Sequence, residues 1–149
     1  MNILILHGPN LNLLGRREPH IYGTTSLDDI NKKLLALGVA MNVEVEAFQS
    51  NHEGALVDKL HECIDRVQGA LVNPAGLTQY GVPLHDAIKA MPFPVLEVHL
   101  SNLAMREEWR HRSIISPAVK GTVQGLGWRS YTTAFTALVE MLREKAGQT

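Results

Sequence analysis

The sequence predicts an α/β domain: a doubly wound, five-stranded parallel sheet in the order 2-1-3-4-5 with helices on both faces. Three observations lead there. Short apolar runs such as Ile3-Leu4-Ile5-Leu6 have the length and composition of strands buried on both faces. They alternate with segments whose apolar residues recur at helical spacing, and repeating βα units imply a parallel sheet with both faces covered. Polar clusters fall just after the strands, where open parallel sheets place their ligands.

Asn2 to His7 is the first strand. Ser26 and Asp29 form a capping-box-like start, and Leu27, Ile30, Leu34, Leu37 and Met41 follow as a helical stripe. Val43 to Gln49 alternates apolar and polar residues and predicts the second strand. Ser50 and Glu53 repeat the capping signal ahead of Leu56, Leu60, Cys63, Ile64 and Val67. Ala70 to Asn73 is the third strand. Pro83 suits the first turn of a third helix that buries Leu84, Ala87, Ile88 and Met91. Val95 to His99 is the fourth strand, Ala104 to Arg110 a short helix, and Lys120 to Gln124 the fifth strand. Ser130 is expected to cap a last helix through Ala134, Phe135, Leu138, Val139 and Leu142 that ends near Gly147. Right-handed crossovers then favour the flavodoxin-like arrangement.

Residues 1–149 read as one domain, without repeat, linker or low-complexity tract. A net charge of −1 with no basic block gives no footprint for nucleic acid. The single cysteine, Cys63, cannot form an internal disulfide and fits a reducing compartment. The first apolar run has no charged region before it and no small-residue cleavage site after it, so no signal peptide is expected. No run approaches the roughly 20 residues that span a bilayer. The expected setting is cytoplasmic.

Three polar clusters follow strands that flank the switch point or lie next to it. They are Asn10 to Tyr22, in a lid loop of about residues 8–23; Asn73-Pro74-Ala75-Gly76; and His99-Leu100-Ser101-Asn102, running on to Arg106 and Arg110. Convergence of three distant clusters on one cleft outweighs any single motif. Each residue also has a plainer role. Tyr22 could pack over the sheet, Arg16 and Arg17 could be solvated, and Glu97 and His99 could form an ordinary buried pair. His7, beside Gly8-Pro9, is expected to fix the turn.

No phosphate-binding loop, dinucleotide fingerprint, metal-ligand spacing or nucleophile elbow is present in the sequence. Proton chemistry remains, without cofactor or metal. Tyr, His, Arg and Asn around one cleft suit an elimination, in which a base takes a proton beside a carbonyl and an acid protonates the leaving hydroxyl. A phenol titrates near ~10 in water, and neighbouring guanidinium groups favour its anion. Arg17 and Arg106 are placed for that role. Asn10 could hold a water or an oxygen against enolate charge. Arg110 and the Ser101 segment could bind a carboxylate or hydroxyls.

The run Gly8-Pro9-Asn10-Leu11-Asn12-Leu13-Leu14-Gly15-Arg16-Arg17-Glu18-Pro19, with Tyr22-Gly23, closely resembles the N-terminal signature of type II 3-dehydroquinate dehydratases. Glu97 to Asn102, Arg106-Glu107-Glu108-Trp109-Arg110, Asn73 to Thr78 and Gly125-Leu126-Gly127 resemble the same family, so the likeness spans nearly the whole chain. It implies a cofactor-free anti elimination of water from 3-dehydroquinate through an enolate, giving 3-dehydroshikimate on the shikimate pathway to chorismate and aromatic amino acids. By the same resemblance Tyr22 is the base, Arg17 the lid arginine and Asn10 the holder of the enolate-stabilising water. Asn73 and His99 sit at the leaving hydroxyl, with His99 as general acid and Glu97 its orienter. Leu100 and Ser101 match the carboxylate-binding segment, and Ala75 is counted among the substrate-binding residues. Arg110 matches a ring-hydroxyl contact, Arg106 a supporting arginine, and Asp86 an aspartate reaching a neighbouring subunit's site in a dodecamer of trimers. The chain departs from the family at Gln79-Tyr80-Gly81, where His-Thr-Ser is usual, and at Asn102-Leu103-Ala104, where Asn-x-His is usual. Gln79 is expected to keep a hydrogen bond to substrate but no charge. Two alternatives stay open: a retuned or weak lyase on a related cyclic hydroxy-keto acid, and a non-enzymatic flavodoxin-like ligand-binding domain.

Overall fold

The N-terminal strand β1, Asn2–His7, is the hub of the sheet. Its residues Ile3 to Leu6 are fully buried, as a strand covered on both faces requires. In the computed structural model, which describes residues 1–147, β1 pairs in parallel with β2 (Glu44–Gln49) on one side and β3 (Gly69–Asn73) on the other. Strands β4 (Val95–His99) and β5 (Gly121–Gln124) extend the sheet, so the order is β2-β1-β3-β4-β5, all parallel.

Strand alternation divides the core into two layers. Ile3 and Ile5 pack under α2 (Leu27–Ala40) and α5 (Arg129–Gly147), against Ile30, Leu34, Phe135 and Leu138. Leu4 and Leu6 face α3 (Glu53–Glu62) and α4 (Val82–Lys89), against Leu56, Leu60, Leu84 and Ile88. Each such side chain contributes about 1.5–3 kcal/mol when fully buried. The predicted sheet order and two-sided cover are those observed. No helix among the described residues is long and apolar enough to cross a membrane.

The Ser26 capping box forms as expected: Ser26 Oγ accepts from Asp29 N, and Asp29 Oδ2 accepts from Ser26 N, both at 3.1 Å. The second capping signal does not. His52, not Ser50, is the N-cap of α3, and it makes no side-chain capping bond. Ser50 Oγ accepts from His52 N at 3.0 Å, while Glu53 accepts from Leu84 N at 3.3 Å, at the start of α4. Ser130 likewise lies inside the first turn of α5, where its hydroxyl accepts from Leu126 N. The expected helix over Ala104 to Arg110 is two 3-10 turns, Leu103–Met105 and Glu108–Arg110. Arg106 between them is extended (ψ −174°), which stops helix propagation. The presumed loop of residues 8–23 holds a 3-10 turn, Leu11–Leu13, and a one-turn helix α1, Pro19–Tyr22.

Gly8 fixes where this segment leaves the sheet. Its N–H donates to Asn73 O at 2.8 Å, and a Cβ there would stand 2.6 Å from Pro74 O and 2.8 Å from Pro74 C. Both are backbone atoms with no room to yield. Gly8→Ala is therefore expected to destabilise the fold by about 1–3 kcal/mol, read as a lower urea midpoint with an unchanged slope.

Candidate active site

The C-terminal ends of β1, β3 and β4 surround a cavity of about 290 Å³, at the small end of the range for small-molecule sites. Asn10, Arg17 and Tyr22 line it from the first segment, Asn73 and Ala75 from the β3 loop, and His99, Leu100 and Ser101 from the end of β4. Arg106 and Arg110 also line it. Ten of the predicted site residues thus meet in one cleft, drawn from three stretches that are distant in sequence.

The lid is anchored rather than loose. Leu11 and Leu14 are buried in the α2/α5 layer, and Tyr22 packs against the same cluster. Asn10 takes a left-handed conformation (φ 68°) that asparagine tolerates better than most residues. Its backbone N–H donates to Asn51 Oδ1 at 2.9 Å. The Tyr22 ring then has two cations near it. The guanidinium carbon of Arg17 is 5.6 Å from the ring centroid and that of Arg106 is 5.3 Å. Arg106 is held by Ser101 Oγ at 3.1 Å, and Glu107 accepts from Arg110 Nε at 2.9 Å.

His99 lines the same cavity. Its Nε2 lies 2.6 Å from Glu97 Oε1, two residues back on the same strand face. Glu97 is fully buried and does not line the cavity; it also accepts from Ser113 Oγ at 2.8 Å and Ser116 Oγ at 2.5 Å. Burial opposes its charge, but the bonds from His99, Ser116 and Ser113 outweigh it and hold the carboxyl below its ordinary value. Ser113 and Ser116 were not legible as site residues. They precede β5, with Ser116 at the start of a 3-10 turn, and only the fold brings them to Glu97.

By strand alternation Asn73 reaches the cleft from the α2/α5 face and His99 from the α3/α4 face. Asn73 Oδ1 accepts from Ala75 N at 3.1 Å, and Ala75 itself adopts positive φ (50°). Such backbone strain is concentrated at functional sites. Besides Glu97, two expected residues lie outside the cavity. Gln79 does not line it: its amide Nε2 donates to Arg110 O at 3.1 Å, while Oε1 is buried without a partner among the described residues. Asp86 is exposed on α4. Tyr80 and Trp109, which the sequence did not mark, line the mouth instead, with Arg110 stacked 4.1 Å from the Trp109 ring. His7 is fully buried and takes no place in the cavity lining.

Residues 1–139 match the family described as dehydroquinase class II. The chain belongs to that family. It is 46% identical over 142 residues to the 3-dehydroquinate dehydratase of Halothermothrix orenii, covering 95% of this chain and 96% of that one. It is 48% identical over 142 residues to the 3-dehydroquinate dehydratase of Desulforudis audaxviator, at 95% of each. Among solved structures, the type II dehydroquinase of Propionibacterium acnes superposes with a TM-score of 0.90 at 41% identity, covering 93% of this chain and 96% of that one. Family membership therefore rests on sequence and on fold.

Proposed function

We propose that the protein is a hydro-lyase that converts 3-dehydroquinate to 3-dehydroshikimate on the shikimate pathway. The observation that carries this reading is that one small cavity gathers a tyrosine with two guanidinium groups near its ring and a histidine bonded to a buried carboxylate. The buried carboxylate fixes the imidazole. These are the parts an elimination needs on opposite sides of its substrate.

Tyr22 removes the proton beside the ketone, and the electron pair moves into an enolate. Asn10 holds a water against the enolate oxygen. The enolate collapses with loss of the hydroxyl, which His99 protonates, so that water leaves by anti elimination. Arg17 closes over the substrate, Arg106 supports the tyrosine, and Leu100 and Ser101 receive the carboxylate. Asn73 sits at the leaving hydroxyl and Arg110 at a ring hydroxyl. The mechanism calls for no cofactor or metal. Asp86, exposed on α4, is assigned to a neighbouring subunit's site in a cytoplasmic dodecamer of trimers.

The test is direct. Purified protein is mixed with 3-dehydroquinate, and the ultraviolet absorbance of the conjugated enone product is followed. A folded oligomer that gives no signal sinks the proposal. A signal only with a related cyclic hydroxy-keto acid would mark a retuned lyase.

A further inference from the structure

A buried chain of polar side chains runs behind the cavity through residues the proposed mechanism does not use. His7, at the end of β1, has Nε2 2.8 Å from Asn31 Oδ1 on α2 and Nδ1 2.8 Å from the Tyr131 hydroxyl on α5. His7 and Tyr131 are both fully buried. The Tyr131 hydroxyl is in turn hydrogen-bonded to the Asn73 side chain. Odd-numbered positions of β1 and β3 face the α2/α5 layer, which is why His7, Asn73 and Tyr131 meet there.

The polarity of this chain follows from its ends. Burial, only partly offset by the bond to Asn31, pushes His7 down to about 4, so the ring is neutral near pH 7. A neutral imidazole has one donor and one acceptor nitrogen. Asn31 Oδ1 can only accept, so Nε2 carries the proton and Nδ1 is the acceptor. Tyr131 therefore spends its single proton on His7 and can only accept from Asn73. Asn73 Oδ1 is occupied by the N–H of Ala75. Its Nδ2 must then give one hydrogen to Tyr131, which leaves the other for the cavity that Asn73 lines.

We infer that Asn31, His7 and Tyr131 are positioning residues that lock the Asn73 amide so that it offers an N–H, never its carbonyl, to an oxygen of the substrate. The inference rests on the proposed dehydratase reaction for its substrate. Without the chain, the amide could turn over and present an acceptor to another acceptor.

A double-mutant cycle tests it, with kcat and KM for 3-dehydroquinate measured for Tyr131→Phe and Asn31→Ala in Asn73 and Asn73→Ala backgrounds. Tyr131→Phe is expected to lower kcat/KM by about 10- to 100-fold. Asn31→Ala, outside the cleft and half-buried, is expected to lower it about threefold. Both losses should vanish when Asn73 is already Ala; losses that persist there overturn the inference. A second readout does not need turnover. The Asn73 side-chain amide protons, followed by nuclear magnetic resonance, should exchange slowly in the wild-type chain and fast in Tyr131→Phe and Asn31→Ala. Unchanged exchange in a folded variant also overturns it. Should Tyr131→Phe not fold, Asn31→Ala carries both measurements. An inactive wild-type protein with the expected exchange pattern would count against the proposed reaction alone.

Discussion

Tyr22→Phe is expected to lower turnover of 3-dehydroquinate by about 10²- to 10⁴-fold, the usual contribution of a positioned base. The substitution removes one oxygen and keeps the ring that has Arg17 and Arg106 near it. The half-buried ring also keeps its packing against the α2/α5 layer, so stability should stay within about 0.5 kcal/mol of wild type. Absorbance of the enone product gives the rate, and a urea titration gives the stability. A near-normal rate in a folded variant would remove Tyr22 as the base. A loss of rate together with a loss of stability would point to a packing role for the ring. The prediction is sharp because phenylalanine keeps the ring and lacks the oxygen that would take the proton.

The sheet was legible in the sequence because its signals are local. Ile3 to Leu6 is a strand-length apolar run, Val95 to Val98 is apolar but for Glu97, and both are strands. The Ser26–Asp29 box could be recognised because each partner of the bond pair lies within one turn of the other. What failed were signals whose partners come from elsewhere. Glu53 looked like a capping partner for Ser50, but α4 packs close enough for its carboxylate to take the N–H of Leu84. Gln79 looked like a substrate contact, but its amide is taken by the carbonyl of Arg110, 31 positions later. Separation in sequence likewise hid Ser113 and Ser116 beside Glu97, and His7 and Tyr131 behind Asn73. The side chains facing the cavity could thus be read from strand ends and the family resemblance, whereas those that hold them in place required the fold.

Glu97→Gln should show how much that hidden support matters. In the wild-type chain one carboxylate accepts from His99, Ser113 and Ser116 at once. An amide in the same place has a single acceptor oxygen, and its NH₂ must face either the imidazole or the serines. If the NH₂ faces the imidazole, His99 Nε2 must accept from it, so the ring holds only its Nδ1 proton, and giving that proton up would leave an imidazolate. A fall in kcat of about 10²- to 10⁴-fold is expected, and stability at pH 7 should drop by about 2–3 kcal/mol because the fully buried site is left partly unpaired. The pH dependence separates charge from shape. Glu97 is held below its ordinary value, so the folded state binds its proton less readily than the unfolded chain, where a glutamate titrates near ~4.3. The stabilisation is therefore fully present above about pH 5 and is lost as pH falls through the folded value. Wild type should weaken steeply below about pH 4.5, and Glu97→Gln should lack that contribution to the acid limb. The gap between their urea midpoints should accordingly narrow on acidification. A gap that stays constant from pH 7 to pH 3.5 would mean that the ionised carboxylate of Glu97 is not what supports His99.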